Sequence, residues 1–432
     1  MLDWDNPLGT NNEARQKNPA QQPPKVETEL DLQSQQNATS APEPQLQQAV
    51  TVSPDLTPAA VEPFISPQPA AKTETLNSTK PTQETANGIP LEDIPDSATE
   101  PVNVADKRIV NGTTDINQLA PFKYPWAWEY FLNANKNHWT PLDINMAQDV
   151  HDFNHTLTDD ERHVYTNVLA YLTTSDILAM RNIGLAVMEK MSAPELQIYQ
   201  ARQVYEESLH TWTYQHCIET IGLDQSEIYN RYRVVPAINQ KIQVANRRLN
   251  SILRPDIDLN DPAELSNFVM AYMFFGGIFE GCWFYNGFSP IFALQRRGLM
   301  KGTAEQLQYI MRDEVMHASF GIRVVKEIIQ ENNVALDPQA IRDMWDEAEA
   351  AEHGYARYIL QNPILGYSAE DHIEQFRFIA NRRARQLSLE EPFPGARDML
   401  PWLDEQANMR KEKNFFETRV TEYQTGGALS WD

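Results

Sequence analysis

Glu207-Ser-Leu-His210-Thr-Trp-Thr-Tyr214, with its later counterpart Arg312-Asp-Glu-Val-Met-His317, decides the fold of this chain. In each stretch a Glu and a His stand three positions apart. On an α-helix such residues share one face, with Cβ atoms about 5–6 Å apart, so a carboxylate and an imidazole can reach the same metal ion. One Glu-x-x-His pair is weak evidence, because Glu and His are common on solvated helix faces. Two pairs on two helices weigh more when carboxylates on two further helices accompany them.

Two such carboxylates precede the pairs. Asp176 lies in the apolar run Ala170-Tyr-Leu-Thr-Thr-Ser-Asp-Ile-Leu-Ala179, and Glu280 in the most hydrophobic stretch of the chain. A buried carboxylate is costly without a cation or a proton. Each precedes its Glu-x-x-His pair by a similar interval, about that of two adjacent helices joined by a turn. One carboxylate from each of two helices plus Glu-x-x-His from two others is the di-metal arrangement of ferritin-like bundles. Four carboxylates also balance two divalent cations, and a thiolate-free, oxygen-rich set suits iron or manganese better than structural zinc. Tyr214, one turn after His210, points with Glu207 and His210. A phenol beside an oxygen-activating metal pair can be oxidised to a tyrosyl radical. The plain alternative, a core tyrosine, has weight in a chain with 16 tyrosines. Tyr205 and Tyr285 are also near ligands in sequence, but Tyr205 faces elsewhere.

Outward from these stretches the periodicity stays helical from about 140 to 390. Thr158-Asp-Asp-Glu161 has capping-box form and opens a helix to about Met188. Ser192-Ala-Pro-Glu195 is read as a second box, opening a helix to about Ile221 with Gly222 as C-cap. Further helices are expected over about 224–250, from Asp261-Pro262 to about Tyr285, from Thr303-Ala-Glu-Gln306 to about Asn332, and over about 338–360 and 369–387. No stretch shows sustained period-two alternation, and no 20–50-residue repeat is visible. The expected class is all-α, a helical bundle.

Residues 268–288 are almost long and apolar enough to span a bilayer. Glu280 inside them argues for a helix buried in a soluble protein. The formal net charge of −24 makes nucleic acid a poor partner. Cys217 and Cys282 have no metal or redox spacing and read as free thiols in a reducing compartment. The N-terminus has no secretory signal pattern, so the expected location is cytoplasmic.

Both ends differ from the middle. Residues 1–105 are rich in Pro and Gln and hold only two aromatics, Trp4 and Phe64; they are expected to be disordered. Order is expected to begin near Asn117, where aromatics become dense, within a helical domain over 106–409. Residues 410–432 read as a flexible tail. Its end, Ala428-Leu-Ser-Trp-Asp432, suits a peptide that docks in a partner's groove. Met1-Leu-Asp-Trp-Asp5 is similar to that end, although short strings coincide by chance.

At these residues the chain resembles the small, beta subunit of class I ribonucleotide reductase. The matches are Ser175-Asp176, Glu207-x-x-His210-x-x-x-Tyr214, Glu280-Gly281 and Arg312-Asp-Glu-x-x-His317, with family spacing, and the likeness covers about 115–432. The resemblance implies a ferritin-like bundle in which Asp176, Glu207, His210, Glu280, Glu314 and His317 bind a di-iron, dimanganese or mixed Mn/Fe centre. It makes Tyr214 the stable radical and Phe284, Phe288 and Ile310 its apolar wall. Trp139, in His138-Trp-Thr-Pro141, and Asp313 would carry the radical, Asp313 hydrogen-bonding Trp139 to His210. Tyr423 would relay it to the large alpha subunit, which would bind Leu429, Trp431 and Asp432. A beta homodimer is also implied.

Some family members have Phe at the position of Tyr214 or Glu at that of Asp176; this chain matches the tyrosyl-radical pattern at both. Gly287 replaces a small hydroxyl residue common in the family, and the long N-terminus is a further departure. The implied activity is ribonucleotide reduction with a large subunit, since this chain has no paired cysteines and no phosphate-cradling glycine loop. Two alternatives are a ferritin-like oxidase or monooxygenase acting on its own small substrate, and a metal-storage or structural helical protein. Neither needs Trp139, Asp313 and Tyr423 together.

Overall fold

Helix boundaries fall where local chemistry satisfies orphan backbone groups. The computed structural model describes residues 103–110, 118–364 and 366–408. In chain order the helices are α1 (Pro125–Ala134), α2 (Ala147–His151), α3 (Asp159–Asn182), α4 (Pro194–Ile221), α5 (Gln225–Val234), α6 (Pro236–Asn250) and α7 (Pro262–Met273). Then follow α8 (Tyr285–Gly287), α9 (Ser289–Arg296), α10 (Lys301–Asn332), α11 (Pro338–Ile359), α12 (Ala369–Gln386) and α13 (Pro401–Asn408). A π-helix, Phe274–Phe284, joins α7 to α8. Among the described residues, extended pairing is limited to two isolated bridges, Val110 with Met191 and Ile364 with Tyr367.

The capping box at α3 is complete. Thr158 accepts from the Glu161 amide, and the Glu161 side chain accepts from the Thr158 amide. α4 ends on Gly222 in the left-handed region, φ 85°, where glycine pays no Cβ penalty. Three expectations need correction. Ser192 does not cap α4: Ala193 stands at the N-cap, and Glu195 accepts from the Lys123 and Tyr124 amides instead. The expected helix over 224–250 is two helices, because Pro236 cannot donate the amide that would continue the first. α10 starts at Lys301 rather than Thr303. Asp149, buried on α2, takes the Gly302 and Thr303 amides and the Thr303 hydroxyl at 2.7–2.8 Å, so the cap comes from another helix.

Ordered packing also begins earlier than Asn117. Ile109 and Val110 are fully buried, and buried Lys107 lies 3.7 Å from Glu195. Residues 1–102 and 409–432, with Tyr423, Leu429, Trp431 and Asp432, lie outside the described residues.

α3 packs along α4, and the π-helix packs along α10. These two pairs bring the four metal-site segments together. Gly276 and Gly321 allow the second pair to approach closely. A Cβ on Gly276 would lie 3.1 Å from the Gly321 Cα, and a Cβ on Gly321 would meet Gly276 Cα at 3.1 Å. The apolar helical run from Pro262 to Arg296 is a core element, since 94% of its apolar window is buried inside the protein.

Candidate metal centre

The four segments deliver all six expected ligands to one place. Asp176 comes from α3, Glu207 and His210 from α4, Glu280 from the π-helix, and Glu314 and His317 from α10. All six are completely buried. Their ligand atoms form two groups: Asp176, Glu207 and His210, and Glu207, Glu280, Glu314 and His317; within each the atoms lie within 4.8 Å of one another. The two imidazole centres are 6.0 Å apart.

Glu207 and Glu314 belong to both halves. Glu207 Oε2 lies 3.7 Å from His210 Nδ1, and its Oε1 lies 3.1 Å from His317 Nδ1. Glu314 Oε1 lies 3.3 Å from His210 Nδ1, and its Oε2 lies 3.7 Å from His317 Nδ1. Asp176 stands only on the His210 side, at 3.8 Å, and Glu280 only on the His317 side, at 3.6 Å. Each carboxylate of the central pair therefore turns one oxygen to each histidine.

The donor set fits a metal pair. Both oxygens of Asp176, Glu207 and Glu314, Glu280 Oε2, and Nδ1 of both histidines are buried without a hydrogen-bond partner among protein groups. Orphaned acceptors at this density are costly unless cations satisfy them. Burial, then the repulsion of Glu207, holds Asp176 well above the usual carboxylate range. Burial raises Glu280 too, against the pull of His317. At Glu207 the contacts with His210 and His317 outweigh burial and hold the carboxyl down at about 2. The centre thus demands positive charge.

The outer nitrogens of both histidines are fixed from across the helix pair. His210 Nε2 contacts Asp313 Oδ2 on α10 at 3.1 Å, and His317 Nε2 contacts Glu206 Oε2 on α4 at 2.8 Å. Arg202 supports Glu206 at 2.8 Å, and Gln203 Nε2 donates to Glu280 Oε1 at 2.7 Å. Sequence reasoning missed Glu206 and Gln203. The signal for Glu206 was present: an acidic residue stands immediately before both pairs, Glu206-Glu207-x-x-His210 and Asp313-Glu314-x-x-His317.

The expected Asp313 link to Trp139 is corrected. Asp313 does hold His210, but its other oxygen accepts from Asn137 Nδ2 at 2.6 Å. Trp139 Nε1 is buried without a hydrogen bond, and its ring stacks on Tyr309 at 5.3 Å. Tyr214 is fully buried, and Asp176 is the side chain its hydroxyl meets. Burial, then the charges of Asp176 and Glu314, hold it well above the ordinary phenol value. Phe284, Phe288 and Ile310 are all completely buried, the two rings 6.3 Å apart. A Cβ on Gly287 would meet Leu172 and Tyr171 only at ordinary contact distance, so that position has room for a larger residue. Tyr205 is 54% exposed, as its helix position requires. Cys217 and Cys282 are buried free thiols.

An all-helical bundle with two Glu-x-x-His helices and two carboxylate helices around one buried cluster is of the ferritin-like di-metal class. The sequence model for "Ribonucleotide reductase, small chain" matches residues 116–399, and the chain belongs to that family. The chain is 37% identical to the Chlamydia pneumoniae ribonucleoside-diphosphate reductase subunit beta, over 78% of this chain and 99% of that one. It is 28% identical to the Dictyostelium discoideum small subunit, over 72% and 87% of the two chains. Its fold is similar to the ribonucleotide reductase R2 subunit from Clostridium botulinum, with a TM-score of 0.63, 25% identity, and 70% and 94% of the two chains covered. Its function is that of the radical-generating small subunit of a class I ribonucleoside-diphosphate reductase, a family that works with a large subunit. These relatives weigh against the oxidase, storage and structural alternatives.

Proposed function

We propose that Asp176, Glu207, His210, Glu280, Glu314 and His317 hold two iron or manganese ions, and that the oxidising equivalent made there rests on Tyr214. The observation that supports this most is the division of Glu207 and Glu314 between the two histidines, one oxygen to each. When bound, the metal pair supplies one-electron oxidation driven by an oxygen species. The chain's own residues do the rest. Asp313 and Glu206 keep Nδ1 of each histidine turned inward by holding Nε2. Tyr214 gives up one electron and its phenolic proton beside Asp176. Phe284, Phe288 and Ile310 keep water from the phenoxyl.

The equivalent then passes by Asp313, Trp139 and Tyr423 to the large alpha subunit, which reduces the ribonucleotide. Its groove takes the tail over 410–432, through Leu429, Trp431 and Asp432. Trp139 has to gain its link to Asp313 by displacing Asn137. The domain division is an extension over 1–105, a ferritin-like domain over 106–409 and that tail. A beta homodimer is expected to use the exposed stripe of α4 that carries Tyr205 and Trp212. The working place is the cytoplasm, with no role for nucleic acid or membrane.

The test is an electron paramagnetic resonance spectrum after reconstitution with iron(II) and oxygen, with metals quantified. A tyrosyl signal at two metals per chain, lost in Tyr214→Phe, is expected. A metal-only signal indifferent to that change would move the oxidant to the metals. Tyr423→Phe should abolish turnover with the large subunit and leave the Tyr214 signal intact; retained turnover would remove Tyr423 from the route.

A further inference from the structure

Lys241 of α6 is completely buried, and three aromatic rings surround its ammonium. Nζ lies 3.9 Å from the ring centre of Tyr171, 4.4 Å from that of Tyr355 and 5.1 Å from that of Trp283. Its charge is paired with Glu352, Nζ to Oε2 2.5 Å. A buried chain continues behind the carboxylate. Glu352 Oε1 accepts from His372 Nε2 at 2.6 Å and from Asn286 Nδ2 at 3.2 Å, and the Tyr367 hydroxyl meets His372 Nδ1.

The three rings share a second property. Tyr171 Oη, Tyr355 Oη and Trp283 Nε1 are buried without a hydrogen bond to a protein group. Each such omission is destabilising, and three around one cation call for a reason. Two of the four metal-site segments lead to this cage. Tyr171 stands on α3 little more than a turn before Asp176 and within reach of its charge. Trp283 follows Glu280 on the π-helix and packs on Phe279 at 6.2 Å; Phe279 packs on Phe284 at 5.1 Å. Tyr171 and Tyr355 are 5.1 Å apart, and Tyr355 is 6.5 Å from His372. Past the cage stands Tyr367, a phenol with a proton acceptor.

We propose that Lys241 is a positioning residue for the oxidising equivalent: its ammonium, set on the faces of Tyr171, Tyr355 and Trp283, insulates the centre against loss of its oxidant through these rings to Tyr367 and His372. This rests on the function proposed above. A cation over an aromatic face favours the neutral, electron-rich ring and repels the positive charge of an oxidised one. The absence of a protein acceptor at the three ring heteroatoms works in the same direction. The step opposed is a one-electron exchange. The Tyr214 phenoxyl gains an electron and takes back at Oη the proton it had released beside Asp176, becoming a phenol; Tyr367 loses an electron through the caged rings and its proton to His372 Nδ1. One electron passes from Tyr367 to Tyr214, and each phenol exchanges its proton with its own neighbour.

The experiment follows the decay of the oxidised signal in the full chain after reconstitution with iron(II) and oxygen. Lys241→Met should shorten its half-life by about tenfold, the scale of one desolvated cation–π contact. Lys241→Arg keeps the charge and should keep the half-life. Adding Tyr171→Phe, Tyr355→Phe and Trp283→Phe to Lys241→Met should restore it, a rescue that a merely structural defect would not show. Lys241→Met with Glu352→Gln leaves no unpaired buried charge. It covers the case in which the single variant does not fold, and it too should decay fast. An unchanged half-life in a folded, metal-loaded variant lacking Lys241, or fast decay that persists after all three rings are replaced, overturns the proposal. Tyr214→Phe reports separately on the underlying reading: if the wild-type signal survives it, the oxidant sits on the metals and the same half-lives are compared there. A wild-type protein that takes up metal and yields no oxidised signal overturns both.

Discussion

Glu206 Oε2 lies 2.8 Å from His317 Nε2, and Asp313 Oδ2 lies 3.1 Å from His210 Nε2, so each histidine is held by the acidic residue preceding the other's Glu-x-x-His pair. The two helices clamp each other's ligands. A carboxylate behind a metal-binding imidazole fixes its tautomer and raises its basicity.

Glu206→Gln should therefore lower metal affinity by about 10–100-fold while leaving the fold intact. Metal titration of the variant against the wild type checks this. Equal affinities would make Glu206 a helix-pairing residue without influence on the centre.

Gly321→Ala tests the close approach of the π-helix and α10. Alanine improves helix propensity by about 1 kcal/mol, but its Cβ would sit 3.1 Å from the Gly276 Cα. Backbone cannot yield as a side-chain tip can, so overpacking should win and cost about 1–3 kcal/mol. The displacement separates Glu280 from Glu314 and His317. Denaturant unfolding and metal counting should show lower stability and fewer than two metals per chain; full occupancy would show that the helices can move apart without harm.

Metal uptake should weaken as pH falls. Asp176 and Glu280 are held well above the ordinary carboxylate range, first by burial, and a protonated carboxyl must lose its proton before it binds a cation. Binding then releases protons, and apparent affinity drops as pH falls from the neutral range. Equilibrium dialysis with manganese(II) at several pH values measures this, and a flat profile would contradict it.

Glu352 makes a separate prediction about acid stability. Burial pushes the Lys241 ammonium down and works to raise Glu352, but the Lys241 charge and the His372 contact outweigh it and hold the Glu352 carboxyl at about 2, below the ordinary 4.5. With a depressed pKa in the folded state, the stabilisation is whole above pH 4.5 and is lost as pH falls through about 2. Glu352→Gln should cost about 3–5 kcal/mol near neutral pH by leaving Lys241 unpaired. The deficit should shrink towards the acid end. Replacing both partners, Lys241→Met with Glu352→Gln, should cost less than either change alone. Urea midpoints across pH decide; a deficit independent of pH would place the effect in packing.

Much of this protein is local in its sequence. The two Glu-x-x-His pairs are legible because residues three apart must share a helix face. The Thr158 capping box and the Gly222 stop are legible because a side chain or a left-handed residue satisfies the helix end on the spot. Asp176 and Glu280 stand out because charge in an apolar run needs a counterion wherever it folds. Other features depend on what distant segments bring. α10 starts at Lys301 because Asp149, far away in sequence, caps it. Asp313 bonds Asn137 rather than Trp139 because the loop before Trp139 puts Asn137 within reach. The division of Glu207 and Glu314 between two histidines, and the seating of Lys241 among Tyr171, Tyr355 and Trp283, need two and four separate segments respectively. The sequence by itself determined which residues can bind metal and which faces are buried, since helical period and desolvation act within one segment. Only the tertiary structure decided which oxygen meets which nitrogen, because those contacts are set by how helices cross, and Gly276 against Gly321 sets one such crossing.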